Sequence, residues 1–191
     1  MNFGIKSGKN VLVWGDKNNY YLEKTKLLAQ LYPKAKYIHL VRDGRDVATS
    51  YQALKKMKSS SRYVPNLTSD IEKIANEWNE NNYKLITFFK SISSKNVLVI
   101  KYEDLINNLK KECEKITSFL NVPFDENMLN YYSINKFKGL EPNETLDWKK
   151  KTLEKPDTSN IGKYKQLLSN NDINLFNNIA KGCLETFNYE F

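Results

Sequence analysis

The sequence predicts an α/β domain with a mostly parallel sheet, and three observations carry that prediction. Lys36-Tyr37-Ile38-His39-Leu40-Val41 is an apolar, β-branched-rich run flanked by charge, and it leads through the turn signal Asp43-Gly44 into Val47, Tyr51 and Leu54 at helical spacing. Lys95 to Lys101 repeats the pattern of a buried strand. A long helical stripe lies between the two, and strands that alternate with helices argue for an α/β architecture. A chain of 191 residues suffices for one domain with a real core, and no segment argues for a second, so residues 1–191 are read as a single domain.

The remaining elements follow in order. Lys6-Ser7-Gly8-Lys9 resembles a phosphate loop in composition only: it lacks the spacing, no apolar strand precedes it, and a frayed terminus accounts for it. Val11-Leu12-Val13-Trp14 reads as a short strand that delivers Gly15-Asp16-Lys17. Tyr21, Lys24, Leu27, Leu28 and Leu31 form an amphipathic helix stopped by Pro33. Lys55 to Arg62 breaks the periodicity and reads as an exposed basic loop, either a solvated linker or a wall of an acceptor site. Ser69-x-x-Glu72 is a capping box that opens a long helix, with Ile71, Ile74, Ala75, Trp78, Asn82, Leu85, Ile86 and Phe89 as its core face. After the second strand, Leu109, Cys113, Ile116 and Leu120 mark a helix that ends before Pro123, and Phe124 to Tyr132 holds one short helix. Gly139 to Ser159 has Pro142, Pro156 and no periodicity, and reads as a long loop. Leu175, Ile179 and Cys183, with Phe176, Ala180 and Phe187, form a last helix that closes the core.

Composition bounds the function. A net charge of +8, carried mostly by scattered lysines, favours anionic partners: a nucleotide, an acidic acceptor or nucleic acid. The lysines are not clustered with interleaved aromatics as a stacking groove requires, so nucleic acid is set aside as a partner. Cys113 and Cys183 fall on apolar helix faces and read as buried thiols. No run approaches the length of a membrane span and no signal-peptide pattern follows Met1, which gives a cytoplasmic expectation by default. His39, inside an apolar strand, reads as a structural core residue.

The chemistry gathers at the strand–turn–helix. A helix start beside a tight turn can offer backbone N–H groups to an anion. Arg42 leaves the strand end with a planar fork suited to phosphate, and Ser50, about two helical turns on, carries a hydroxyl. The plain alternative is a surface turn in which Arg42 or Arg45 pairs with Asp43 or Asp46.

Val41-Arg42-Asp43-Gly44-Arg45-Asp46 followed by Ser50 resembles the 3′-phosphate-binding segment of sulfotransferases that use 3′-phosphoadenosine 5′-phosphosulfate (PAPS). Gly15-Asp16-Lys17, Leu31-Tyr32-Pro33-Lys34-Ala35-Lys36, Val99-Ile100-Lys101-Tyr102-Glu103-Asp104-Leu105 and Ile161-Gly162-Lys163-Tyr164 extend the resemblance, in the right order, to the bacterial and tyrosylprotein sulfotransferases. It implies a P-loop-kinase-like three-layer fold and PAPS as sulfuryl donor, with a hydroxyl acceptor and no catalytic metal. It implies that Arg42 and Ser50 hold the 3′-phosphate and that Lys17 reaches the transferring group. Tyr102 would line the nucleotide pocket, and Lys163 would neutralise a phosphate. Taken without the resemblance, Lys17 and Lys163 are also ordinary solvated lysines, and Tyr102 a tyrosine seeking one hydrogen bond.

One feature of the family is not found in the sequence, namely the amino-terminal strand and Ser/Thr-rich loop that grip the phosphosulfate. The expectation is therefore an amino-terminally truncated domain whose absent strand belongs between those at Ile38 and Val97. Alone, the chain is expected to be silent and poorly stable, or an inactive nucleotide-binding remnant, with a partner chain or second copy completing the sheet.

Overall fold

The computed structural model describes residues 13–57, 61 and 63–191. Among these, the sheet is one parallel pair, β1 (Tyr37–Val41) and β2 (Val97–Lys101), in register from Tyr37 opposite Val97 to Val41 opposite Lys101. The expected placement of a missing strand between them is therefore wrong. Five consecutive rungs pair the two strands directly at ladder spacing, and nothing fits between. The fold is α/β as expected, with the strands joined by α2 (Gly44–Lys56) and α3 (Ile71–Lys90).

Alternation of side chains gives the pair two faces. Tyr37, His39 and Val41 face α3 and α9 (Asn170–Thr186): Tyr37 meets Phe88 edge-on at 5.1 Å, and His39 lies between Phe89 at 5.9 Å and Phe187 at 5.6 Å. Burial among these rings lowers the His39 pKa to about 4, so the imidazole is neutral, as a core histidine should be, and its Nδ1 is left without a partner. On the other face α5 (Leu109–Leu120) covers β2 and buries Ile100, making the third layer. Ile38 and Leu40 of β1 stay 40% and 51% exposed there.

The core forms where α3 and α9 pack, Ile71, Ile74, Ala75 and Trp78 against Phe176, Ala180, Cys183 and Leu184. Two details differ from the helical stripes read in the sequence. Phe88 is buried while Phe89 is only half-buried, because the end of α3 turns Phe88 onto Tyr37. Leu175 is exposed, because the buried face of α9 runs through 176, 180, 183, 184 and 187, an i, i+4, i+7, i+8 stripe that excludes it. Both cysteines are free and buried.

Boundaries shift for local reasons. Asp70, not Ser69, caps α3 by accepting from the Lys73 N–H at 3.1 Å, while the Thr68 hydroxyl accepts from the Asp70 N–H. The helix expected through Leu31 is a 3₁₀ turn (Asn19–Lys24) followed by α1 (Thr25–Leu31), and its Leu27 and Leu31 are exposed. Val13 and Trp14 are irregular and exposed rather than a strand; Val11 and Leu12, like Lys6 to Lys9, lie outside the described residues. Lys55 and Lys56 belong to α2, and of the basic loop Lys58, Ser59, Ser60 and Arg62 lie outside the described residues. The short α4 (Tyr102–Asn107) follows β2 directly. The segment after α5 continues as a 3₁₀ turn and α6 (Tyr131–Lys138), which Gly139 ends at φ +57°. The expected loop of residues 139–159 is a string of short helical turns that includes α7 (Leu146–Lys149).

Candidate anion-binding site

The site is built on the turn between β1 and α2. Gly44 opens α2 where the rings of Trp78 and Phe176 close in. A Cβ there would lie 2.7 Å from the Trp78 ring and 2.4 Å from Phe176, so glycine is required by packing rather than by turn geometry. Asp43 caps the helix, accepting from the Arg45 N–H at 2.9 Å, and its own N–H donates to Glu103 Oε1 at 2.9 Å. Carboxylates of the fold thus take both of these turn amides. The helix start thus has fewer free amides than the turn alone suggests, and the side chains of Arg42, Ser50 and Lys163 stand beside it.

Arg45 is not the surface ion pair of the plain reading. It is 1% exposed, donates from Nε and Nη2 to Asp43 at 3.0 and 2.8 Å and from Nη1 to Asn177 at 3.1 Å, and stacks on Tyr164 at 4.2 Å. Asp46, fully buried, accepts from the Gly162 N–H at 2.7 Å and the Tyr164 N–H at 2.9 Å.

Arg42 faces the other way. Its guanidinium lies over the Tyr102 ring at 5.0 Å, donates from Nη1 to Ser50 Oγ at 3.2 Å and from Nη2 to the Asn160 carbonyl at 2.9 Å. Its Nε is buried and has no partner. The Trp78 indole donates to the Arg42 carbonyl at 3.1 Å and holds the backbone there. Lys163 reaches the same place, donating to Asn160 Oδ1 at 3.1 Å. Burial and the charge of Arg42 push its pKa below that of an ordinary lysine, which Asp46 partly opposes. Among the described residues neither Arg42 nor Lys163 is in an ion pair. Two cations held together beside an unpartnered buried N–H, with a hydroxyl next to them, fit a multiply charged oxyanion such as a phosphate monoester.

The structure therefore brings together four of the five residues singled out in the sequence: Arg42, Ser50, Tyr102 and Lys163. Lys17 is exposed, its main-chain N–H bonded to Asp16 at 2.8 Å, and its ammonium has no partner among the described residues. Asp16 is also bound by the Tyr21 hydroxyl. Sequence reasoning missed Asn160, Asp46, Glu103 and Trp78 as parts of the site. For Asp46 there was a signal, since a second acidic residue so close to a buried strand end must be either solvated or satisfied; for Glu103 and Trp78 there was none. No group of metal-ligating residues occurs among the described residues, and no described helix is long and apolar enough to cross a membrane.

Parallel strands with helices on both faces, and candidate anion-binding side chains gathered at a strand end, form the kind of α/β arrangement in which ligands are held at the carboxyl ends of the strands. The particular class follows from comparison: the sulfotransferase family model matches residues 5–126, and the chain belongs to that family. It is 27% identical over 116 residues to protein-tyrosine sulfotransferase A of Caenorhabditis elegans, a match covering 61% of this chain and 29% of that protein. It is 32% identical over 120 residues to mouse sulfotransferase 1B1, covering 56% and 39%. The chain thus spans well under half the length of these curated relatives. Among solved structures, the sulfotransferase domain of the Synechococcus PCC 7002 olefin synthase superposes with a TM-score of 0.63 at 25% identity, over 92% of this chain and 58% of that one. The sulfotransferase domain of the curacin biosynthetic pathway shares the fold, with a TM-score of 0.58 at 19% identity.

Proposed function

We propose that this chain serves a sulfotransferase that takes the sulfuryl group from PAPS and passes it to a hydroxyl, and that Arg42, Ser50 and Lys163 receive the donor's 3′-phosphate, with Tyr102 packed under Arg42. The observation that carries this reading is that Arg42 and Lys163 both reach Asn160 and neither is in an ion pair among the described residues, beside the unpartnered Arg42 Nε. Bound PAPS supplies an activated sulfuryl group for in-line displacement, with adenosine 3′,5′-bisphosphate (PAP) left behind. What the chain's residues do is grip and orient. Arg42 presents a fixed planar fork, Lys163 a point charge, and Ser50 a hydroxyl that already touches the guanidinium. Lys17 would act where charge develops at the transferring group, so Lys17→Ala should lower turnover far more than donor affinity in an active enzyme.

The test is binding of PAP and of adenosine monophosphate, which lacks the 3′-phosphate, by calorimetry. Wild type should prefer PAP. Arg42→Ala should weaken PAP by at least about tenfold, from loss of a charge-assisted contact of roughly 1.5–3 kcal/mol, and change the monophosphate little. Equal weakening of both would overturn the assignment. The name of the Caenorhabditis elegans relative makes a tyrosine-containing peptide the first acceptor to try.

A second reading, that the chain binds the nucleotide but transfers nothing unless another segment or chain completes it, is favoured by the outer edge of β1, which no described strand pairs. Ile38 and Leu40 of the same strand also stand exposed on one face of the sheet. A strand from a partner or second copy would pair there, outside β1 rather than between β1 and β2. Measurable sulfuryl transfer by a monomer of residues 1–191 would rule that reading out.

A further inference from the structure

Asp46 is the fully buried carboxylate of α2 whose partners are all backbone groups of a distant segment. Its two oxygens accept from the Gly162 and Tyr164 N–H groups, more than a hundred residues away in the chain. A buried carboxylate must be satisfied or it is costly, and here the first turn of α2 and two amides satisfy it. The Asp46 carbonyl also accepts from the Ser50 hydroxyl at 3.0 Å, which leaves the Ser50 oxygen turned to Arg42. Gly162 has φ +70°, a backbone state natural to glycine, and it places Lys163 and Asn160 on the Arg42 side of the clamp. One residue thus ties down both the hydroxyl and the basic segment of the anion site without reaching the anion itself.

We propose that Asp46 is a positioning residue for recognition of the 3′-phosphate, acting through residues 160–164, an inference that rests on the donor-binding reading above. Asp46→Asn keeps the shape but turns an amide NH₂ toward one of the two N–H donors. In the full chain it should speed hydrogen exchange at the Gly162 and Tyr164 amides and cut the preference for PAP over adenosine monophosphate at least about tenfold. Lys163→Ala should lower PAP affinity strongly in wild type and little in the Asp46→Asn background, because the two changes remove one arrangement. Gly162→Ala approaches the same clamp from the other side and spares the core if Asp46→Asn proves unstable. No atom lies within 4 Å of its added Cβ, so its strain is in φ alone, and it should erode the same preference. If wild type prefers PAP and Asp46→Asn or, where that variant does not fold, Gly162→Ala keeps that preference, the role of Asp46 is refuted while the site stands. If wild type shows no preference, the donor-binding reading fails and the role of Asp46 falls with it.

Discussion

Arg45 directs its guanidinium inward, to Asp43, Asn177 and the face of Tyr164, whereas Arg42, three positions earlier in the same turn, shares its surroundings with a second cation and keeps one buried N–H unpartnered. The side of the turn that includes Arg45, Gly44 and the aromatic layer over His39 is closed: its cation is paired and its rings are packed. The side of Arg42, Ser50 and Lys163 is open in the electrostatic sense, with two cations gathered and neither in an ion pair among the described residues. The difference teaches which of two identical side chains, in near-identical local sequence, is structural and which is available to a ligand. Changes on the closed side should move stability and leave nucleotide discrimination intact, and changes on the open side should do the reverse.

The largest effect is expected from Arg45→Ala. It leaves Asp43 as an uncompensated buried carboxylate, which costs roughly 3–5 kcal/mol, read as a lowered denaturation midpoint. A loss under about 1 kcal/mol would show that the closed side is wetter than its burial suggests. Next comes acid sensitivity. Unfolded His39 takes up a proton near 6.5 and the native residue only near 4, so its contribution is complete above 6.5 and is lost as pH falls between these values. The gap corresponds to about 3 kcal/mol, and His39→Leu should flatten this part of the pH–stability curve. A curve unchanged by the substitution would move His39 out of the closed side.

Gly44→Ala should destabilise by roughly 1–3 kcal/mol, since Trp78 and Phe176 must yield to the new methyl group. PAP preference should survive in the folded fraction; its loss would mean that packing and recognition are not separable at this turn. The smallest effect belongs to the open side. The Lys163 ammonium, held below the usual lysine range by burial and by Arg42, should lose its charge earlier on the alkaline side than a free lysine. PAP affinity should therefore decline as pH rises toward that point, and Lys163→Arg should remove the decline. A flat alkaline profile in wild type would place Lys163 outside the phosphate contact.

The local sequence determined the elements themselves. The run 37–41, the turn at Asp43-Gly44, the stripe beginning at Ile71 and the strand ending at Lys101 are written in short-range periodicity, which is why they were legible and why their ends were off by a residue or two. The motif around Arg42 likewise marked the site, because residue types suited to phosphate recur there at a strand end. Only the tertiary structure decided that β1 pairs directly with β2, that Arg45 is buried while Arg42 is not, and that Asp46 and Glu103 each bind a distant or neighbouring main chain. Strand order and the fate of a charge depend on contacts between residues far apart in the chain, 60 positions between Asp43 and Glu103 and 132 between Arg45 and Asn177. No local pattern encodes such contacts, since burial and satisfaction are properties of the assembled core and not of the segment.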